Sequence, residues 1–196
     1  MSRLISLKCP DCQVNLSGEN NSKVFFCRPC GSCFNVGEDK LHKFPVRYIK
    51  PQRVKKLKQV YFPFWQFETQ YTFHDEGGAA TSDYMNTRVF YIPAFFIKNI
   101  NYFGDIGFYY MKKNVVLEPE SRRNLEIFPA DRDVTRAAQY PFMYMCKENT
   151  NRIQNDFSNL TMKHQKAAMA LVPFYKTENL YYDSILSWKY PSGALI

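Results

Sequence analysis

Two Cys-x-x-Cys pairs, Cys9-Pro10-Asp11-Cys12 and Cys27-Arg28-Pro29-Cys30, stand 14 residues apart and constrain this chain more than any other feature. Two residues between thiols let a tight turn aim both sulfurs at one tetrahedral ion about 2.3 Å away, and two such turns complete a four-cysteine site. The spacing therefore predicts one structural zinc ion held by Cys9, Cys12, Cys27 and Cys30. Gly31 follows the second pair, where freedom from a Cβ helps the turn close, whereas Gln13 takes the matching place after the first pair and suits it less. Leu4 to Lys8 and Lys23 to Phe26 lead into the two turns, and Ser17 to Ser22 between them is rich in turn-forming residues. A segment of about 36 residues buries too little apolar surface to fold unaided, and a metal supplies the deficit.

Other uses of these cysteines fit the sequence less well. A disulfide framework requires an oxidising compartment, and Met1 to Leu7 reaches Lys8 and Cys9 too early for an export signal. A redox Cys-x-x-Cys opens a helix after a strand, with no second pair close by. Cys30-Gly31-Ser32-Cys33 is itself a Cys-x-x-Cys, so Cys33 competes with Cys27 for a place among the ligands; Gly31 favours the Cys27/Cys30 pairing. Cys146, inside the apolar run Phe142 to Cys146, reads as a buried hydrophobe.

Charge divides the chain. Residues 1–58 carry twelve Lys and Arg against four Asp and Glu, while residues 59–196 carry fourteen of each, so the net +8 resides in the first third. This gives a zinc ribbon over 1–43, a basic connector over 44–58 and an aromatic β-rich domain over 59–196. In the connector, Phe44 to Ile49 reads as extended, and Pro51 is suited to open a short helix from Gln52 to Lys58. Lys55, Lys56 and Lys58 would then face solvent, available to nucleic acid or to anionic lipid headgroups in a peripheral membrane contact. No apolar run reaches the roughly 18 residues of a membrane-spanning helix, so a cytoplasmic protein is expected.

The third region holds most of the 17 Phe and 14 Tyr, which favour pleated surfaces. Trp65 to Phe73 alternates as a half-buried strand and His74-Asp75-Glu76-Gly77-Gly78 ends it. Tyr181 to Tyr190 alternates as a last strand, Leu160 to Ala170 fits either a helix or a long strand, and Asp131 is placed to cap a helix over Arg132 to Tyr140 that Pro141 would stop. Proline precedes an aromatic or apolar residue at Pro63, Pro93, Pro141 and Pro173, which reads as four strand starts and as a sheet of two duplicated halves. The expected fold is α+β and mostly β: an N-terminal zinc ribbon, then an aromatic-rich antiparallel sheet domain with one or two short helices.

The Cys-Pro-x-Cys and Cys-x-x-Cys-Gly motifs resemble the zinc ribbon named after transcription factor IIB. With Tyr61-Phe62-Pro63-Phe64-Trp65-Gln66-Phe67 and Leu171-Val172-Pro173-Phe174-Tyr175, the chain resembles bacterial proteins that join such a ribbon to a C-terminal aromatic Pro-Phe-Trp body. The resemblance implies a fold, and it carries over no activity and no catalytic residue.

Nothing in the sequence assembles an active site. His74 beside Asp75 and Glu76 is the one candidate pairing of imidazole and carboxylate, and such groups are common in surface turns; His164, among Lys163 and Lys166, reads as solvent-facing. The sequence contains no phosphate-cradling glycine loop, nucleophile elbow or His-Glu-x-x-His motif. The expectation is a non-enzymatic structural or interaction module, a zinc-ribbon adaptor or subunit of a larger assembly with a protein partner. The alternative is a nucleic-acid binder using the basic first third. Excess aromatic surface at Phe62, Phe64, Trp65, Phe95 and Phe96 is the expected anchor of the interface.

Overall fold

A computed structural model describes residues 7–18, 22–37, 40–74, 86–98, 106–121, 126–149 and 160–195. Expectations for Leu4, Asp75 and Glu76 lie outside these residues. The fold is α+β and mostly β. A small sheet holds β1 (Val24–Phe26), β2 (Cys33–Val36) and β3 (Leu41–Phe44) in that order, all antiparallel. Pro45 then turns the chain out of it, and β4 (Val46–Ile49) joins the large sheet.

The large sheet is organised on two long antiparallel strands, β5 (Lys58–Phe73) and β9 (Leu160–Lys176), paired along their whole length with one irregularity between Glu68 and Thr69. The outer edge of β5 carries β8 (Glu126–Ile127) in parallel and β6 (Asn86–Pro93) antiparallel. The outer edge of β9 carries β4 in parallel and β10 (Leu180–Asp183) antiparallel. β7 (Pro119–Glu120) flanks β4, and β11 (Lys189–Pro191) flanks β10.

These pairings obey a two-fold relation centred on the Phe62–Val172 pair. Tyr61 lies opposite Pro173 and Pro63 opposite Leu171, so the rotation exchanges the two prolines. Each proline falls at the gap where the outer neighbour changes: Pro63 between the residues paired to β8 and to β6, Pro173 between those paired to β4 and to β10. A residue without an N–H costs least there. Each proline's carbonyl instead accepts an N–H from a loop just beyond the antiparallel neighbour: Ala94 N at 3.0 Å for Pro63, and Ser184 N at 3.3 Å for Pro173. The halves are interlocked, because β4 precedes β5 but pairs with β9, and β8 precedes β9 but pairs with β5.

Prolines therefore do not mark four strand starts. Pro63 and Pro173 lie inside strands, Pro93 ends β6, and Pro141 sits in the first turn of α3 (Tyr140–Glu148), where its missing donor is harmless. The expected helix stopped by Pro141 is replaced by the single turn α2 (Val134–Ala137), capped by Asp133 rather than Asp131, through Arg136 N to Asp133 Oδ1 at 2.8 Å. No helix forms over Gln52 to Lys58: bends lead directly into β5. The expected last strand splits into β10 and β11, since the Asp183 carboxylate accepts Ile185 N at 2.8 Å and Leu186 N at 3.0 Å and folds the chain into a turn.

Both faces of the large sheet are covered. Tyr61, Trp65, Phe67, Met169 and Leu171 point to one side, into a core shared with Val24 and Cys33 of the ribbon and with Ala137, Tyr144 and Met145 of the helices. Val60, Phe62, Phe64, Ala170, Val172 and Phe174 point to the other, against Phe95, Phe128, Tyr181 and Tyr190. The helix α1 (Ile106–Lys112) feeds Phe108 and Met111 into the first core and Ile106 and Tyr110 into the second. It approaches β6 so closely that a Cβ on Gly107 would stand 2.2 Å from the Tyr91 carbonyl oxygen. Arg88 of β6 fixes α1 and α3, donating to Met111 O at 3.0 Å and pairing with Glu148.

Candidate functional site

The ribbon brings Cys9, Cys12, Cys27 and Cys30 together, with all four sulfurs within 4.8 Å of one another. Cys9 Sγ lies 3.5 Å from Cys30 Sγ, and Cys12 Sγ 3.3 Å from Cys27 Sγ. A tetrahedron with metal–sulfur bonds near 2.3 Å has edges of about 3.8 Å, so the four thiols stand close to the spacing one ion requires. This cluster can hold a metal ion.

Two turns with the same hydrogen-bond pattern produce it. In the first, Cys9 N bonds to Val14 O and Gln13 N to Cys9 O, both at 2.8 Å; in the second, Cys27 N bonds to Ser32 O at 2.8 Å and Gly31 N to Cys27 O at 2.7 Å. The fifth residue takes a left-handed conformation in both, with φ of 61° at Gln13 and 78° at Gly31. Gly31 adopts it without steric cost, whereas Gln13 meets the geometry against its preference and its amide side chain bonds back to Pro10 O at 3.3 Å. Little else holds the ribbon's own interior, which consists of Cys9, Cys27 and Phe34 with Cys12, Leu16 and Leu41 against them.

Cys33 is placed elsewhere. Side chains alternate along β2, so Phe34 faces the cysteine cluster while Cys33 faces the large core beside Val24 and Tyr48. Burial pushes its thiol well above the ordinary range. Cys146 lies half-buried on α3 against the same core.

The surroundings of the cluster are charged in a way the spacing alone did not reveal. Lys43 of β3 pairs with Asp11, inside the first turn, at 2.7 Å, and Ser32 of the second turn donates to the same carboxylate. Those two contacts, Lys43 foremost, hold Asp11 below the usual carboxylate range. Burial raises Cys9 and pushes Cys27 up to about 12, while contact with Ser32 brings the exposed Cys30 down to about 6. A bound divalent metal would offset the desolvation that keeps the buried thiols protonated through its own positive charge, and with four thiolates around it a net charge of about −2 would be left beside the Lys43 ammonium.

His164 and His74 both have partners across the β5–β9 pair. His164 lies across from Thr69, with Nδ1 2.7 Å from Thr69 Oγ1 and Nε2 2.8 Å from Ala138 O; the carbonyl can only accept, so Nε2 carries the proton and Nδ1 accepts from the hydroxyl. Although its surface is exposed, this ring ties β9 to β5 and to the chain after α2 rather than facing solvent freely. His74 does not sit in a turn but prolongs β5, its Nε2 3.0 Å from Thr161 Oγ1.

Four of the five expected interface anchors are core residues: Phe62, Phe64, Trp65 and Phe95 have no exposure, and only Phe96, at 55%, reaches the surface. The Trp65 indole donates to Arg132 O at 2.8 Å, and Phe62 packs against Phe95, Phe128, Phe174 and Tyr181. The surface offers instead a groove of about 660 Å³ between ribbon and body. Val24 and Phe26 of β1 line one wall and Ile127, Phe128 and Pro129 the other, with Arg28 and Glu126 also in the lining.

No protein-family model, no curated protein sequence and no solved structure matches this chain.

Proposed function

We propose that Cys9, Cys12, Cys27 and Cys30 hold one zinc ion, and that the chain is a non-catalytic interaction module, an adaptor or subunit that receives a segment of a partner protein. Four thiolates at tetrahedral spacing, without a water-bearing position, suit a structural zinc ion, which supplies the crosslink that the small ribbon interior lacks. The ion braces; it does not act on a substrate.

The groove where the ribbon meets the body carries the interaction reading. Its walls combine apolar side chains with one cation and one carboxylate, and its volume falls in the range of specific binding sites. Ribbon and body each contribute one wall, which gives the metal-braced unit a reason to be fixed on the body rather than tethered to it. Pro129 is exposed and lines the groove, so Pro129→Arg fills the groove while leaving both cores intact. The expected result is that tagged protein recovers a specific partner from its native host and that Pro129→Arg, with an unchanged melting temperature, does not. Equal recovery by the variant, or no specific partner for either protein, would overturn the reading.

A further inference from the structure

We propose that the segment 50–57, between β4 and β5, is a docking loop for bilayers bearing anionic lipid headgroups. From Lys50 to Lys58 the chain reads Lys-Pro-Gln-Arg-Val-Lys-Lys-Leu-Lys, five cations with no acidic residue. The loop is held in place rather than loose. Lys50 N bonds to Glu118 O at 2.9 Å, Pro51 is buried, Arg53 N bonds to Ser184 O at 3.1 Å, and the Lys55 ammonium lies 3.9 Å from the centre of the Tyr182 ring. Despite this anchoring, Val54 is 81% exposed and Leu57 40%, the former placed between Arg53 and Lys55. A fixed loop that presents apolar side chains to water gains from burying them only against another apolar phase.

The charges select that phase. Lys50 and Lys58 are paired with Glu118 and Glu126, while Arg53, Lys55 and Lys56 have no carboxylate partner among the described residues. Lys189 joins them at 5.9 Å from the same Tyr182 ring. Cations surrounding a protruding valine match a membrane surface, where ammonium and guanidinium groups meet headgroup phosphates while the apolar tip enters beneath them. Nucleic acid fits less well. Its phosphates make no use of Val54, and the one ring inside the patch, Tyr182, has Lys55 over its face where a base would stack.

This inference is independent of the groove, and Pro129→Arg is expected to leave it unaffected. The test is co-sedimentation of the full zinc-loaded chain with vesicles of phosphatidylcholine alone or with about 30% phosphatidylserine, beside a single-stranded oligonucleotide at the same salt. The chain is expected to bind only the anionic vesicles, more weakly as salt rises. The triple change Arg53→Gln, Lys55→Gln and Lys56→Gln should weaken binding on the order of 100-fold, from about fivefold per cation. Val54→Asp should weaken it roughly 50-fold, about tenfold from the lost apolar insertion and about fivefold from the repelled carboxylate. Arg53, Val54 and Lys56 are exposed and Lys55 is half-buried over Tyr182, so unchanged melting curves are required to verify that the variants fold. Absence of binding to anionic vesicles, equal binding to neutral ones, indifference to Val54→Asp, or tighter binding to the oligonucleotide would each overturn the proposal.

Discussion

Ribbon and body solve the same problem by different means. The ribbon encloses three buried side chains, two of them cysteines, and has almost no apolar interior to lose. The body surrounds a sheet with two cores, one on each face, built largely from interlocking rings. Where apolar burial is scarce, geometry comes from thiols that a metal can tie together; where it is plentiful, aromatic packing suffices. The regions are nevertheless continuous. Val24 and Cys33 enter the body's first core, Phe44 packs edge-on to Trp65 with centroids 4.9 Å apart, and Asn35 Oδ1 accepts Val134 N at 3.2 Å at the start of α2.

The largest effect should come from the ligands. Purified protein is expected to carry about one zinc per chain, and Cys9→Ser or Cys30→Ser to carry almost none. Each change forfeits a large part of the roughly 10 kcal/mol or more that a structural zinc contributes. Cys33→Ser and Cys146→Ser should keep the metal, because neither thiol faces the cluster. Metal analysis of the four variants decides this, and full zinc in the Cys30→Ser protein would remove the assignment.

Core aromatics come next. Trp65→Ala and Phe62→Ala, one on each face of the sheet, should each cost roughly 3–5 kcal/mol in denaturant unfolding. Phe96→Ala should cost no more than about 0.5 kcal/mol because its ring is on the surface. Similar costs for all three would mean that the two-core description is wrong.

A smaller effect belongs to Asp183, buried and accepting the Tyr110 hydroxyl at 2.9 Å. Burial, opposed by its hydrogen bonds, raises this carboxyl to about 6 from 3.8. The folded state thus holds the proton more tightly than the unfolded chain, so this contribution is complete below about 3.8 and is lost as pH rises through about 6. Between pH 5.5 and 7.5, where thiolate ligands still hold metal, stability should fall by about 1 kcal/mol from this group. Asp183→Asn, compared by thermal melting across the same range, should flatten that dependence.

The cysteine cluster was legible because ligand spacing is a local property: two residues between cysteines set the turn, and both turns formed, even with Gln13 in a conformation it does not favour. The excess of Phe and Tyr was equally visible, but its meaning was not. An exposed patch follows only if the sheet buries one face; β5 is buried on both from Val60 to Trp65, so the rings fill two cores. The repeated proline motif pointed towards two related halves, yet its role at Pro63 and Pro173 depends on which neighbours flank β5 and β9, a property of topology. His164 is exposed, as its lysine neighbours suggested, but its partners Thr69 and Ala138 are distant in sequence and so were not legible. The connector looked like a linker because strand β4 is only four residues long and its partners are β7 and β9.

Ribbon and body share core contacts and should therefore unfold as one cooperative unit, with any metal held by the four cysteines released in the same transition. The most direct measurement follows a single denaturant titration with two probes, tryptophan fluorescence for Trp65 and Trp188 in the body and a zinc-chelating dye for release of the metal. Shared core contacts at Val24, Cys33 and Phe44 predict coincident transitions, with Cys30→Ser lowering the midpoint of the body as well. Zinc release well before any change in fluorescence, with the body's midpoint the same in the Cys30→Ser protein, would contradict it.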